Sequence, residues 1–297
     1  MNKGLAALLA LIAGCTFGVG GAISQIIRSH GYEVMHVILS QTIAAVVILG
    51  ILVAVKVGYT IPRKDTIKLF FVGVVNSVTA VFYFFAIDIL SVGTTVAIQF
   101  QYVWIVVVFA SIADRARPGK WTTISALLII VGSALGSGLV DELMAGRVVM
   151  DPLGLVLALL CALSYALFIF LNGRVAVEHD AVQRTFTQMC GGLLTSVIFF
   201  FAMGTGPCDV IGLIPWGVLM SLVMCVVPIL FIVIASTNLE SGLVSILTSS
   251  ELPFAVFSGF VLLGETVTPL VVAGVVIILG AIALAQLDNR EPKAVEA

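Results

Sequence analysis

Long apolar runs alternate with short clusters of charged, proline and glycine residues from one end of the chain to the other. A bilayer core about 30 Å thick is crossed by roughly 20 helical residues rising 1.5 Å each. The pattern predicts ten such helices, over 4–27, 34–56, 66–87, 92–112, 121–140, 153–173, 183–203, 214–236, 242–262 and 268–287. The connections are short, and none is large enough to form a soluble domain. Asp288 to Ala297 reads as a polar tail. The expected fold class is an all-α polytopic membrane protein.

Composition sharpens this picture. The chain is 61% hydrophobic and 10% charged, against about 45–50% and about 25% in soluble domains. A net charge of −2 without a basic arm gives no reason to expect a nucleic-acid partner. Of the five cysteines, Cys15, Cys161, Cys190 and Cys225 lie in apolar runs as small packing residues. No C-x-x-C or His/Cys ligand spacing suggests a disulfide framework or a metal. Ile12-Ala13-Gly14-Cys15 resembles a lipoprotein cleavage box, but apolar residues continue to Ile27, so an uncleaved first helix is expected. His30, His36 and His179 lie near loop or span ends and read as solvated or interfacial. There is no phosphate-binding loop and no H-E-x-x-H, so neither a cofactor nor an enzyme is expected.

Basic residues set the orientation. With the N-terminus in the cytoplasm, ten spans put only Arg28 and Arg147, of 14 lysines and arginines, on the outer side. Nine or eleven spans would scramble this bias. Both termini are therefore expected in the cytoplasm of a multi-pass plasma-membrane protein, in the inner membrane if the cell is prokaryotic.

The chain also repeats itself at an offset of about 148 residues. Leu90-Ser91-Val92-Gly93 matches Leu239-Glu240-Ser241-Gly242, Gln41 matches Gln188, and Ile130-Val131-Gly132 matches Ile278-Leu279-Gly280. Phe17-Gly18 and Tyr165-Ala166 take the same place in spans 1 and 6. Five spans per half is an odd number, so the second half must enter the membrane from the opposite face. The expected organisation is two inverted five-helix repeats, 1–141 and 152–287, and a cytoplasmic tail, 288–297. Such halves can exchange conformations and open a central site to each side in turn.

These residues give the chain its likeness to a known family. Two five-span halves, Phe17-Gly18 and Tyr165-Ala166, and the stretch Ser250-Glu251-Leu252-Pro253 followed by Leu263-Gly264-Glu265 resemble the EamA family of the drug/metabolite transporter superfamily. The first half departs from the pattern, with Trp104 where a proline is expected and Ala113-Asp114-Arg115 in place of the Gly-Glu element. The resemblance implies ten helices, a cavity between the halves, and carriage of small polar or amphipathic metabolites, often outward.

Polar residues inside a bilayer carry the candidate chemistry. An ionised Glu251, near the middle of span 9, costs roughly 2.5–3.5 kcal/mol on insertion scales. It must face the protein interior, where it can exchange a proton or meet a cationic group; Thr248 shares its face. Thr95, Gln99 and Tyr102 share one face of span 4, and Gln99 and Tyr102 map onto Thr248 and Glu251. Asn76, Thr79 and Tyr83 share a face of span 3. Phe17 and Gln25 in span 1 and Tyr165 in span 6 complete the candidate substrate-binding set. Pro228 and Pro253 interrupt their spans and read as hinges or packing kinks. Pro118, Pro152, Pro215 and Pro269 sit in loops or at helix starts.

The small residues Gly14, Gly18 and Gly21 on span 1 suit close helix packing, and Gly132 and Gly136 suit either such packing or a homodimer contact. The sequence thus favours a secondary transporter, exporter or exchanger, of a small metabolite such as an amino acid, driven by a substrate or proton gradient. The alternatives are a membrane enzyme on lipid-linked substrates, a lipid translocase, or a sensor on the same scaffold.

Overall fold

The computed structural model describes residues 1–203 and 206–290, the last two as backbone. Most of the tail expected over 288–297 therefore lies outside the described residues. The structure is a bundle of helices: α1 (Lys3–Ser29), α2 (Val34–Leu52), α3 (Arg63–Ile89), α4 (Val92–Gln99), α5 (Tyr102–Asp114), α6 (Lys120–Gly136) and α7 (Leu139–Met144) in the first part. The second part holds α8 (Pro152–Asn172), α9 (Ala181–Met203), α10 (Val210–Ser221), α11 (Val227–Ser236), α12 (Ser241–Thr248), α13 (Glu251–Ser258) and α14 (Pro269–Arg290). Three five-residue π segments extend or join these helices, at Val53–Val57, Leu222–Val226 and Gly259–Leu263. The chain is a multi-pass membrane protein: among the described residues nine helical stretches are long and apolar enough to cross a bilayer.

Several helices start where the sequence supplies a side-chain acceptor for otherwise unpaired N–H groups. Asp151 Oδ1 accepts from Leu153 and Gly154 at 2.9 and 3.1 Å, just ahead of Pro152 at the first helical turn. Ser91 Oγ accepts from the Thr94 N–H at 3.1 Å and Asp209 Oδ1 from the Gly212 N–H at 3.1 Å. Pro215, expected at a helix start, lies inside α10, because the Asp209 cap starts that helix already at Val210. The fifth expected span is shorter than its pattern suggests. α6 stops at Gly136 after 17 residues because Gly138, at φ 79°, turns the chain into α7.

Contacts between the two parts come in pairs. α3 packs on α8, and α1 on α11; α4 and α5 pack on α8, and α12 and α13 on α1; α3 packs on α9, and α2 on α10. α2 against α9, α5 against α12 and α6 against α14 complete the set.

The α6–α14 crossing is among the close ones. A Cβ at Gly274 would overlap the Gly136 backbone and lie 2.6 Å from the Gly132 carbonyl oxygen. The Gly132/Gly136 face is thus used within the chain. Overpacking such a contact costs about 1–3 kcal/mol. Gly274→Ala is expected to lower the thermal midpoint of the detergent-solubilised protein by several degrees. Gly280→Ala, on the same helix with open space around it, leaves that midpoint in place.

Candidate functional site

Two spans break at mid-length, and they break at matching residues. In the first half the ladder tightens at α4–α5: Gln101 N–H donates to Ile98 O at 3.0 Å, Val103 N–H to Phe100 O at 3.3 Å, and Ile105 N–H to Gln101 O at 3.3 Å. In the second, Ser250 N–H donates to Leu247 O, Leu252 N–H to Ser249 O and Phe254 N–H to Ser250 O, each at 3.2 Å. Every donor and acceptor has its mate 149 positions on. Irregular backbone at membrane depth persists only where protein or water surrounds it. The chain resumes its helix at Tyr102 in one half and at Glu251 in the other. Pro253 falls in the first turn of α13, where its missing N–H costs nothing. Pro228 likewise opens α11, directly after the π segment Leu222–Val226.

Around these breaks the side chains converge. The Tyr102 hydroxyl donates to Ser245 O at 3.3 Å and lies 3.3 Å from Thr248 Oγ1, tying α5 to α12; Tyr102 and Thr248 are fully buried. The Tyr102 ring meets Tyr165 edge-on at 4.7 Å between centroids, and Tyr165 stacks on Phe168 at 6.1 Å and meets Phe17 at 6.5 Å. Gly18 lets α1 reach the α13 backbone, since a Cβ there would overlap the Glu251 carbonyl. Glu251 is half-buried at the start of α13, in the neighbourhood of Tyr83, Tyr102, Cys161 and Tyr165. Among the described residues its carboxylate takes no hydrogen bond and no ion pair. The Tyr165 hydroxyl, also buried, has no partner either. A free carboxylate among tyrosine rings suits a cation, which the ring faces attract as well.

The remaining candidates divide. Thr79 on α3 bonds Ser164 on α8 at 2.8 Å, one residue from Tyr165. Asn76 and Gln99 are half-buried and make no side-chain hydrogen bond among the described residues. Gln25 is exposed on α1. Trp104 is 40% exposed and donates to Gln101 Oε1 at 2.9 Å, at the bundle surface. Cys161 and Phe168 joined the cluster unannounced; both lie on the Tyr165 face of α8, at i−4 and i+3, the spacing that could have found them.

Two basic groups sit deeper than their sequence position suggested. Arg184 is fully buried and donates through Nη2 to Asn172 O at 2.6 Å and Val175 O at 3.2 Å, neutralising the C-terminal end of α8. His36 is buried, not solvated, and its Nε2 lies 3.0 Å from Gly206 O, ahead of α10. His179 is 17% exposed beside Asp65 and Glu178, close enough for a shared cation. Lys68 Nζ already sits 2.7 Å from Asp65 Oδ1 and supplies that charge. A separate lateral cleft of about 310 Å³ between α13 and α14, lined by Pro253, Phe257, Phe260, Val272 and Val275, is apolar.

Paired broken spans meeting a buried polar cluster in an all-helical membrane bundle define a membrane transport protein. The chain belongs to the EamA-like transporter family, whose profile matches residues 4–137 and again 152–287. The threonine/homoserine exporter RhtA of Escherichia coli strain K12 is 26% identical over 230 residues, 76% of this chain and 72% of that protein. The exporter of the same name from Escherichia coli O157:H7 matches to the same extent. A protein crystal structure 14% identical in sequence superposes with a TM-score of 0.78, over 98% of this chain and 100% of that one. At that identity the likeness speaks for the fold alone.

The Tyr102 hydroxyl bond is worth about 0.5–1.5 kcal/mol. Tyr102→Phe is expected to lower the stability of the purified protein by that amount in thermal or denaturant unfolding. Trp104→Phe, at the surface, is expected to leave it within experimental scatter.

Proposed function

We propose that this protein is a secondary exporter of a small metabolite carrying an amine, such as an amino acid, and that Glu251 takes the amine or a proton in turn. The observation that carries the reading is the Glu251 carboxylate, free of protein partners and set among Tyr83, Tyr102 and Tyr165 where the two halves meet. Phe17, Thr79 and Thr248 frame that site, with Asn76, Gln99 and Gln25 as further contacts in other states of the cycle. Threonine and homoserine, named for the related exporter, both carry an amine.

The reading takes the spans as ten, counting α6 with its terminal turn, in two inverted five-helix repeats, 1–141 and 152–287. The paired contacts between halves and the matching helix breaks support that arrangement. The termini then lie in the cytoplasm of a plasma membrane, the inner membrane of a prokaryote, as the distribution of basic residues favours. Alternating access moves the site between faces, and Pro228 and Pro253, each beside an irregular turn, are the bending points. Its work is transport and not catalysis. A lipid-linked substrate would need polar groups along the lateral cleft, whose lining is apolar.

A charge-assisted bond of about 1.5–3 kcal/mol corresponds to about 10- to 100-fold in affinity. Reconstituted Glu251→Gln is therefore expected to lose about that factor in uptake of labelled threonine, tested first as the probe, and to lose its pH dependence. Transport that is unchanged across pH in this variant removes Glu251 from the mechanism.

A further inference from the structure

One end of the bundle holds charges that the fold alone does not account for. At the end opposite Lys3, a cavity of about 170 Å³ lies between α1, α2, α3 and α9, with room for several waters or one small metabolite. Three charged side chains line it: Arg28 in the last turn of α1, Glu33 just ahead of α2, and Asp88 in the last turn of α3. Val34, Phe84 and Phe85 give it an apolar wall.

A helix C-terminus favours a cation and disfavours an acid. Arg28 therefore stands well at the end of α1, and Asp88 stands badly at the end of α3. Glu33 precedes α2 without capping it. Among the described residues the Arg28 and Asp88 side chains make no hydrogen bond and no ion pair, and Glu33 has only His36 Nδ1, at 3.8 Å. Opposite charges thus share one cavity and stay beyond ion-pair distance of each other. Arg28 is also rare in kind, since the basic-residue bias puts only it and Arg147 at that end of the spans.

We propose that this cavity is a second ligand site, for a zwitterion, with its ammonium on Asp88 and Glu33 and its oxyanion on Arg28. A molecule that carries both charges bridges groups that do not reach each other. The two carboxylates and the C-terminal end of α3 draw the ammonium, and the single guanidinium draws the oxyanion. Arg28 and Asp88 are exposed, so each bond is worth up to about fivefold in affinity. The site is weaker than the enclosed one at Glu251 and fills at higher concentration. It goes beyond the Glu251 reading and borrows from it only threonine as a probe.

The test reads the cavity locally, in the full chain with its 5 cysteines replaced by alanine and Val34→Cys as reporter. Threonine at about ten times its Kd for this site leaves about one site in eleven empty, so maleimide labelling of the detergent-purified protein is expected to slow about tenfold. Two analogues are expected to protect only at higher concentration: 2,3-dihydroxybutyrate, without the ammonium, and threoninol, without the carboxylate. Asp88→Asn is expected to abolish the preference for threonine over the first, and Arg28→Gln the preference over the second. Together they weaken threonine by up to about 25-fold. A misfolded variant would lose protection by every ligand and not one preference at a time. Glu251→Gln is expected to keep the protection, with little rise in thermal midpoint at the lower concentrations that fill the parent's Glu251 site. A lipid headgroup can carry the same two charges. Without threonine, slower labelling in phosphatidylethanolamine nanodiscs than in phosphatidylglycerol ones, reversed by Asp88→Asn, would assign the headgroup as the occupant. Protection by threonine that vanishes in Glu251→Gln, or protection by neither threonine nor phosphatidylethanolamine, overturns the proposal. So do preferences that survive in both charge variants.

Discussion

A carboxylate at mid-membrane depth, without a protein partner, is the constraint around which the rest of this structure is arranged. Glu251 has no carbonyl, hydroxyl or cation bound to it among the described residues. Lipid cannot solvate it, so the surrounding helices must shield it. They do so with aromatic rings and with a broken span that places it at the start of α13. The close packing of α1 through Gly18 and of α5 through Tyr102 closes the shield from two sides. On the proposed reading, a mobile cation or a proton satisfies it where the protein does not.

The second organising feature is duplication. A single half would leave its broken span facing lipid, which the backbone does not tolerate. Two halves bury each other's breaks, α5 against α12 and α13 against α1. The symmetry is one of architecture and not of chemistry. Tyr102 occupies in one half the place Glu251 holds in the other, so the pair of breaks yields one hydroxyl donor and one carboxylate at the same interface. An equal pair of carboxylates there would repel, and an equal pair of tyrosines would carry no full negative charge.

Much of this was legible in the sequence because lipid imposes strong patterns. Spanning length gave the helical membrane bundle, the repeat near 148 gave its two family-matched halves, and helical spacing put Tyr102 on the surface that meets Thr248. What escaped was local backbone and depth. The break at Phe100-Gln101 has no proline or glycine to announce it; it follows from packing against its duplicate. Arg184 counted only toward the bias of basic residues because sequence shows neighbours along the chain, and its partners are carbonyls at the end of another helix. His36 was misplaced for the same reason, its acceptor lying 170 positions away. α6 looked full-length until Gly138 turned the chain.

The central claim, that the free carboxylate marks a site for an amine, is tested most directly by ligand stabilisation of the purified protein. A ligand at 100 times its Kd stabilises by about 2.7 kcal/mol. Threonine is expected to raise the thermal midpoint, while 2,3-dihydroxybutyrate, close in size but with a hydroxyl in place of the amine, has no effect. Equal stabilisation by both, or stabilisation by threonine that survives in Glu251→Gln, would contradict the account.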